Sequence, residues 1–164
     1  MGAGKSTVLA EASDILAQYH IVHATIDLDG LCVAFLPPEA GNEEVMYRNL
    51  KSVCENYASM GVTRLLLARA MENRAELDTC RAIVSAKRVV VCRLTASVEV
   101  MTQRVKAREQ GMWQERFVAR VERLNGILDD ARLENFAVDN ENRSVTEVAS
   151  ELPKRAGWMS LNAK

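Results

Sequence analysis

Apolar positions along the chain follow two different spacings, and their alternation predicts helices separated by short strands. Repeats every three or four residues predict helices at 5–19, 43–60, 74–82, 96–108, 113–131 and 144–156. Short apolar runs predict strands at 21–26, 63–68, 89–94 and 136–138. This alternation is typical of an α/β fold, a doubly wound parallel sheet with helices on both faces. We expect one such domain over residues 1–158, followed by a frayed tail at 159–164.

The apolar stripes also predict which side of each helix is buried. In three helices the stripe includes a large side chain near one end, and we expect all three to face inward: Tyr19, Met60 and Trp113. Ser144 and Glu147 have the spacing of a capping box, which would begin the last helix.

A glycine-rich segment opens the chain with the sequence Met-Gly-Ala-Gly-Lys-Ser-Thr. It matches the second half of the phosphate-binding loop pattern G-x-x-x-x-G-K-[ST], and an amphipathic helix follows it directly. Glycines let backbone N–H groups close around phosphate oxygens, while Lys5 would reach the terminal phosphates and Ser6 would ligate Mg²⁺. The predicted nucleotide-binding residues of this loop are Gly2, Ala3, Gly4, Lys5, Ser6 and Thr7.

The loop pattern is incomplete at its amino end. Its first glycine would fall two places before Met1, and the buried strand that usually leads into such a loop has no counterpart in the sequence. A central strand buries roughly five apolar side chains, each worth roughly 1.5–3 kcal/mol, so its absence would cost on the order of 10 kcal/mol. We therefore expect Met1 to be an internal residue of a longer loop, and the 164-residue chain to be weakly stable.

Two acidic residues follow the predicted strand at 21–26. Asp27 and Asp29 are two residues apart and would point the same way if the extended conformation continues through them. Because ligands bind at the carboxyl ends of strands in open α/β sheets, we expect Asp27 to bind Mg²⁺, and one of the two acids to orient and deprotonate an acceptor hydroxyl. Turn formation by the Asp-x-Asp-Gly sequence is the structural alternative.

The strand at 63–68 lacks the acidic residue that often completes a Mg²⁺ site in such proteins, the Walker B acid. Arg69 stands directly after this strand, and the first acid is Glu72. The protein therefore has no such carboxylate, or its role passes to Glu72, or Asp27 or Asp29 supplies it. We favour Asp27.

Arginines are concentrated in the two helices predicted after the strand at 89–94. Arg104 and Arg108 are four residues apart and share a helix face, so they could clamp phosphates or the charge that develops during phosphoryl transfer. A solvated basic face, partly neutralised by Glu109, is the structural alternative. Arg116 and Arg120 on the next helix are weaker candidates for the same role.

Composition narrows the class of protein further. A net charge of −1 gives no sign of bulk attraction to nucleic acid or to an anionic membrane. No apolar run approaches the roughly 20 residues that a membrane span requires. The four cysteines have no C-x-x-C spacing and lie in apolar patterns, which is typical of the reduced thiols of a cytoplasmic protein. The oligomeric state is left open.

Taken in this order, the motifs resemble those of P-loop kinases that act on nucleosides and small metabolites, such as adenylylsulfate, gluconate and shikimate kinases. The resemblance implies ATP and Mg²⁺ as cofactors, a small hydroxyl-bearing acceptor as partner, and a strand order of 2-3-1-4-5 whose central strand is missing here. We therefore expect a gap, or a forced direct pairing, between the strands at 63–68 and 89–94. It also implies that Asp139 and Asn140, after the last strand, contact the adenine base.

Two functions are consistent with these features. The first is a Mg²⁺-dependent kinase in which Lys5, Asp27, Asp29, Arg104 and Arg108 carry the catalytic roles, with Ser6 and Asp27 at the metal. The second is a nucleotide-binding protein without phosphotransfer activity, either regulatory or truncated, and the absent Walker B acid favours it. The acceptor is beyond what the sequence predicts, because acceptor-binding residues differ between kinases that share one loop.

Overall fold

The chain folds into alternating helices and parallel strands, as its apolar spacing predicts. A computed structural model describes residues 1–37 and 39–159. Within these ranges the helices are α1 (Lys5–Gln18), α2 (Asn42–Ser59), α3 (Arg74–Ile83), α4 (Val98–Arg108), α5 (Gln114–Ala131) and α6 (Val145–Arg155). The strands are β1 (Ala24–Asp27), β2 (Leu65–Ala68), β3 (Cys92–Thr95) and β4 (Phe136–Asp139). A short 3₁₀ helix, Leu28–Cys32, was not predicted, and most of the predicted tail lies outside the described residues.

The strands form two separate parallel pairs in the described part of the chain. β1 pairs with β2, with Ala24 opposite Leu65, and β3 pairs with β4, with Cys92 opposite Phe136. β2 and β3 are not paired with each other. The predicted gap between the second and third strands is therefore confirmed, and the alternative of a forced direct pairing is not what the structure shows.

Helix α1 joins the two pairs from one face. Its buried side chains Val8, Ala12 and Ile15 pack in one apolar cluster with Leu66 of β2 and Leu94 of β3. Each pair is thus held against the same helix, although no backbone hydrogen bonds connect the pairs within residues 1–37 and 39–159. A second cluster, built around Met46 and Leu50 of α2, covers the other side of β1 and β2.

Side-chain caps lie at the starts of α4 and α6, and the one at α6 is the capping box that the sequence predicts. Ser97 caps α4 by accepting a hydrogen bond from the Val100 amide at 3.3 Å. The capping box at the start of α6 is complete, with the Ser144 hydroxyl accepting from the Glu147 amide and the Glu147 carboxylate accepting from the Ser144 amide. These contacts satisfy amides that have no partner within their own helix.

Three side chains expected to face inward are exposed instead. Tyr19 is 44%, Met60 is 77% and Trp113 is 52% exposed. Each lies just outside its helix, at the C-cap of α1, the C-cap of α2 and the N-cap of α5. The apolar repeat thus continues for one residue past the length of helix that packs on the sheet.

The cysteines and the helix hydropathy add two observations. Cys32, Cys54, Cys80 and Cys92 are all free thiols, as predicted, and burial raises the pKa of Cys92 to about 12. Among the described helices, none is long and apolar enough to cross a membrane.

Candidate functional site

The loop before α1 takes a conformation that only its glycines permit comfortably. Gly2 and Gly4 have φ angles of +73° and +86°, which lie in the left-handed region that disfavours side chains. The neighbours leave no room for a side chain either. A Cβ on Gly2 would approach the Met101 carbonyl oxygen to 2.3 Å, and one on Gly4 would approach Asn140 Nδ2 to 2.4 Å.

One buried and one half-buried polar side chain hold this loop from behind. Asn140 is 5% exposed and donates from Nδ2 to the Ala3 carbonyl oxygen at 2.8 Å. Arg104 donates to the carbonyl oxygen of Asn140 at 2.7 Å and, more weakly, to that of Gly2 at 3.5 Å. The loop is therefore fastened to α4 and to the segment that follows β4.

These contacts differ from the roles that the sequence suggested for Arg104 and Asn140. Arg104 was expected to clamp phosphates or to stabilise developing charge, but its guanidinium is bonded to backbone carbonyls beneath the loop. Asn140 was expected at the adenine base, but its amide is buried and donates to the loop. Asp139 is exposed and accepts from the Glu141 amide at 3.3 Å, so its contact with a base stays a prediction.

The amino end of α1 presents free N–H donors at the loop. Gly4 is the N-cap, with no side-chain cap, and the first backbone bond of the helix joins the Val8 amide to the Gly4 carbonyl at 2.9 Å. The amides of residues 5–7 therefore lack intrahelical partners and, together with the helix dipole, favour an anion at this position. Within the described ranges, the Lys5 ammonium has no ion-pair partner.

Ser6 and Asp27 meet at the carboxyl end of β1. The Ser6 hydroxyl donates to Asp27 Oδ2 at 2.5 Å, and Oδ1 of the same carboxylate accepts from the Asp29 amide at 3.2 Å. The sequence placed both residues at a metal, and the structure brings their oxygens together. A hydroxyl and a carboxylate are ligands that Mg²⁺ accepts, and Mg²⁺ usually takes only one or two carboxylates and keeps several waters. The pair therefore fits the expected ion, although the described residues contain no cluster of three or more His, Cys, Asp or Glu side chains suited to a metal.

Asp29 lies beside this pair and is accessible to solvent. Its side chain is 64% exposed, and its Oδ1 is 3.6 Å from Arg69 Nη1. Arg69 also contacts Glu43 at 3.5 Å, is only 18% exposed, and has a buried Nε without a hydrogen-bond partner among the described residues. Arg69 thus occupies the place after β2 where a Walker B acid was expected. The sequence showed that Arg69 takes this position, but it did not predict the contacts of Arg69 with Asp29 and Glu43.

Several charges surround the amino group of Met1. Burial is the main cause that lowers the pKa of this amino group to about 6, and the cations Lys5, Arg120 and Arg108 lower it further, whereas Asp29 raises it. Positive charge from α1, α4 and α5 therefore acts on the amino group at the start of the loop. Anionic ligands are favoured in such a place.

The two arginines of this group differ in their partners. Arg108 is 62% exposed and pairs with its neighbour Glu109 at 2.8 Å, the partner that the sequence suggested. Arg120 crosses from α5 to Glu72, after β2, at 2.6 Å. Glu72 is therefore already paired, which weakens it as a substitute for the Walker B acid. Arg120, the weaker candidate in the sequence, lowers the pKa of the Met1 amino group more than Arg108 does.

Comparison with known proteins supports this fold without identifying the activity. No protein-family model matches the chain, and no curated protein matches it significantly. Among solved structures, it is similar to the shikimate kinase of Acinetobacter baumannii in complex with shikimate, with 20% identity, a TM-score of 0.60, and coverage of 99% of this chain and 91% of that one. It is also similar to a gluconokinase of Sinorhizobium meliloti 1021, with 20% identity, a TM-score of 0.58, and coverage of 98% and 93%. The chain therefore shares its α/β fold with these two kinases.

Proposed function

We propose that this protein binds ATP with Mg²⁺ and transfers the γ-phosphoryl group to the hydroxyl of a small metabolite. The observation that carries the proposal is the contact between Ser6 and Asp27, directly beside the free amides at the start of α1. The start of α1 then presents phosphate-binding donors and one metal-binding oxygen, and the end of β1 presents the other. The kinase fold agrees with this assignment.

The residues that would bind the phosphates and the metal ion are assigned from the contacts of the described residues. The amides of the loop and of the first turn of α1 would hold the phosphates, and the unpaired Lys5 ammonium would reach the terminal one. Ser6 and Asp27 would hold Mg²⁺, which when bound supplies neutralisation of phosphate charge. Arg108 and Arg120 would offset the negative charge that develops on the transferred group.

The acceptor side depends on Asp29. Both carboxylate oxygens of Asp27 are occupied, by Ser6 and by the Asp29 amide. The Asp29 carboxylate is exposed, and among the described residues its one partner is the distant Arg69. Asp29 is therefore the better base. The acceptor oxygen would form a bond to the γ-phosphorus while the bond to the β-phosphate oxygen breaks, ADP would leave, and Asp29 would take the hydroxyl proton.

Arg104 has a different role in this proposal from the one expected from the sequence. Its hydrogen bonds to the Asn140 and Gly2 carbonyls make it a positioning residue that fixes the loop. We therefore expect Arg104→Lys to weaken nucleotide binding, while Arg108→Gln lowers turnover more than binding. A KM-against-kcat split between these two variants tests the assignment.

The direct experiment measures ATP consumption across a panel of small hydroxy acids, sugars and nucleosides, with Mg²⁺ present. We expect turnover that depends on one acceptor class and that falls at least a hundredfold in Lys5→Ala. Lys106→Ala, which changes an exposed lysine of α4, is the matched control and should keep full turnover. Equal turnover by the Lys5 variant would exclude the proposed phosphate contact.

A second function, nucleotide binding without transfer, is favoured by one specific observation. Arg69, a cation, stands after β2 where a catalytic carboxylate was expected, and it is paired with two acids. Calorimetry that shows Mg²⁺-dependent ATP binding, combined with no acceptor-dependent turnover in the panel, would select this function over the first.

A further inference from the structure

A cavity of this protein lies at the opposite end of the strands from the nucleotide-binding loop. Its volume is about 480 Å³, and it is bordered by Val89 and Val90, which precede β3, by Phe136 at the start of β4, and by the last turn of α6. The loop is bonded instead to Asn140, which follows the carboxyl end of β4. Because a strand of four residues is about 13 Å long, a small ligand in this cavity would be well separated from the loop.

Positive side chains dominate the border of this cavity. Arg88, Lys154 and Arg155 all line it, and no acidic side chain is among its described lining residues. Arg155 is paired with Glu151 at 3.0 Å, but Glu151 also pairs with Arg143 at 3.0 Å. Across the described ranges, Arg88 and Lys154 take part in no ion pair. The cavity therefore has two positive charges without a counter-ion in the described part of the chain.

These cations are not needed to cap α6. Backbone amides already satisfy its last carbonyls, with the Gly157 amide donating to the Lys154 carbonyl at 3.1 Å and the Trp158 amide to the Pro153 carbonyl at 2.9 Å. Arg88 lies beside this helix end, since its Nη1 is 3.7 Å from the position of a Cβ on Gly157. The helix dipole offsets about half of one positive charge at this end, so the cavity keeps a net positive charge.

The remaining walls combine a free donor with a rigid apolar surface. The Asn135 side-chain oxygen accepts from the Val91 amide at 2.8 Å, and its Nδ2 donates to no described residue. The Arg155 guanidinium stacks on the Phe136 ring, 4.1 Å from the ring centroid, and donates to the Ala137 carbonyl at 2.9 Å. Donors and an apolar wall thus border the same space.

A dianion with several acceptor oxygens matches these donors. A guanidinium binds a phosphate group through two parallel N–H···O bonds, and an ammonium adds a point charge. A phosphomonoester carries about −1.5 to −2 charges at pH 7, which balances the charges of Arg88 and Lys154. A carboxylate carries a single charge and would leave one of these cations without a partner. The apolar wall beside them leaves room for an organic group.

We propose that this cavity binds a small organic phosphomonoester, with its phosphate group between Arg88 and Lys154 and its organic group against Phe136. The Asn135 amide would donate to a phosphate oxygen. The proposal does not depend on the proposed phosphotransfer, because no residue of the nucleotide-binding loop borders this cavity.

Amide NMR shifts measure this binding and show where it occurs. The full chain carrying Lys5→Ala is titrated with inorganic phosphate and with phenyl phosphate at constant ionic strength, because that substitution weakens competing binding at the loop. We expect saturable shifts of the Val90, Asn135 and Phe136 amides, and tighter binding of phenyl phosphate than of inorganic phosphate. Phenyl phosphate that binds no more tightly than inorganic phosphate would overturn the assignment of the organic group.

Substitution of the two unpaired cations tests the assignment of the phosphate group. In the same background, Arg88→Gln and Lys154→Gln should each weaken binding at least about tenfold, since each removes a charged hydrogen-bond donor. Lys87→Gln is the matched control, because Lys87 is exposed, carries the same charge as its neighbour Arg88 and does not border this cavity. The control should change the affinity by less than about twofold.

Three further outcomes would overturn the proposal. Equal weakening by Lys87→Gln would show that the anion responds only to the general surface charge. Shifts that do not saturate, or that are confined to residues 2–7, would show that the cavity holds no site. An unchanged affinity in both Arg88→Gln and Lys154→Gln, each with the melting temperature of the parent protein, would show that these cations do not bind the phosphate group.

Discussion

The fit between Gly4 and Asn140 makes a quantitative prediction about the nucleotide-binding loop. A Cβ on Gly4 would lie 2.4 Å from Asn140 Nδ2, so the Asn140 amide would have to move and would lose its 2.8 Å bond to the Ala3 carbonyl. Loss of a buried hydrogen bond costs about 1–3 kcal/mol. The left-handed φ of +86° costs an alanine about 1–2 kcal/mol more, and Gly4→Ala should therefore destabilise by about 2–5 kcal/mol.

The same bond is lost in Asn140→Ala, so the two substitutions should not be additive. Asn140→Ala alone should cost about 1–3 kcal/mol. In the double variant the new Cβ at position 4 meets no amide, and only the backbone strain adds to the lost bond. The double variant should thus resemble Gly4→Ala alone, and its cost should fall below the sum of the single costs by about 1–3 kcal/mol.

Urea unfolding of the four proteins at one pH measures this coupling. Gly126→Ala is the control, because Gly126 is exposed in α5 and a Cβ there meets nothing within 4 Å. That substitution should stabilise the protein by about 0.5–1 kcal/mol, as expected for glycine replacement within a helix. Costs that add to within about 0.5 kcal/mol would refute the idea that Asn140 and Gly4 share one contact.

Three further predictions concern the stability of the chain. Burial lowers the pKa of the Met1 amino group from 8.0 to about 6, so the unfolded chain binds more protons than the folded chain between pH 6 and pH 8. The free energy of unfolding should therefore rise from pH 6 to pH 8. Solvent screening limits this rise to about 1 kcal/mol, and acetylation of the amino group should abolish it in urea titrations. Ser144→Ala should cost about 1 kcal/mol in the same assay, since it removes a helix cap, whereas the exposed Ser52→Ala should cost much less. A double-mutant cycle on Arg120→Gln and Glu72→Gln should give a coupling below about 1 kcal/mol that disappears in 1 M salt, because both side chains are partly exposed.

The sequence predicted the elements of the fold well because each one carries its own local signal. The strand at 63–68 corresponds to Leu65–Ala68, and the helix at 74–82 corresponds to Arg74–Ile83. The gap between β2 and β3 was predicted from the resemblance to P-loop kinases, whose strand order places the strand before the loop between these two strands. Errors fell at the helix ends, where an apolar residue such as Met60 continues the repeat beyond the packed length.

The candidate site was predicted less completely, because its arrangement depends on contacts between distant segments. The meeting of Ser6 with Asp27 follows from strand order, and the sequence anticipated it. The contact of Arg104 with the Asn140 carbonyl joins positions 36 residues apart and has no local signature. Spacing placed Arg104 on the correct helix, but whether it points to a ligand or to the loop depends on how α4 packs.

The contacts of the loop lie apart from the edges of β2 and β3 that have no backbone partner among the described residues. The loop is held by Met101 and Arg104 of α4 and by Asn140 after β4, and none of these residues belongs to β2 or β3. The unpaired edges should therefore lower the free energy of unfolding much more than they alter the local geometry of the phosphate site. A low melting temperature of the 164-residue chain would then be no argument against nucleotide binding at temperatures where the chain is folded. Affinity for ATP should therefore be measured well below the melting transition, and an affinity too weak to detect there would show that the unpaired edges also distort the loop.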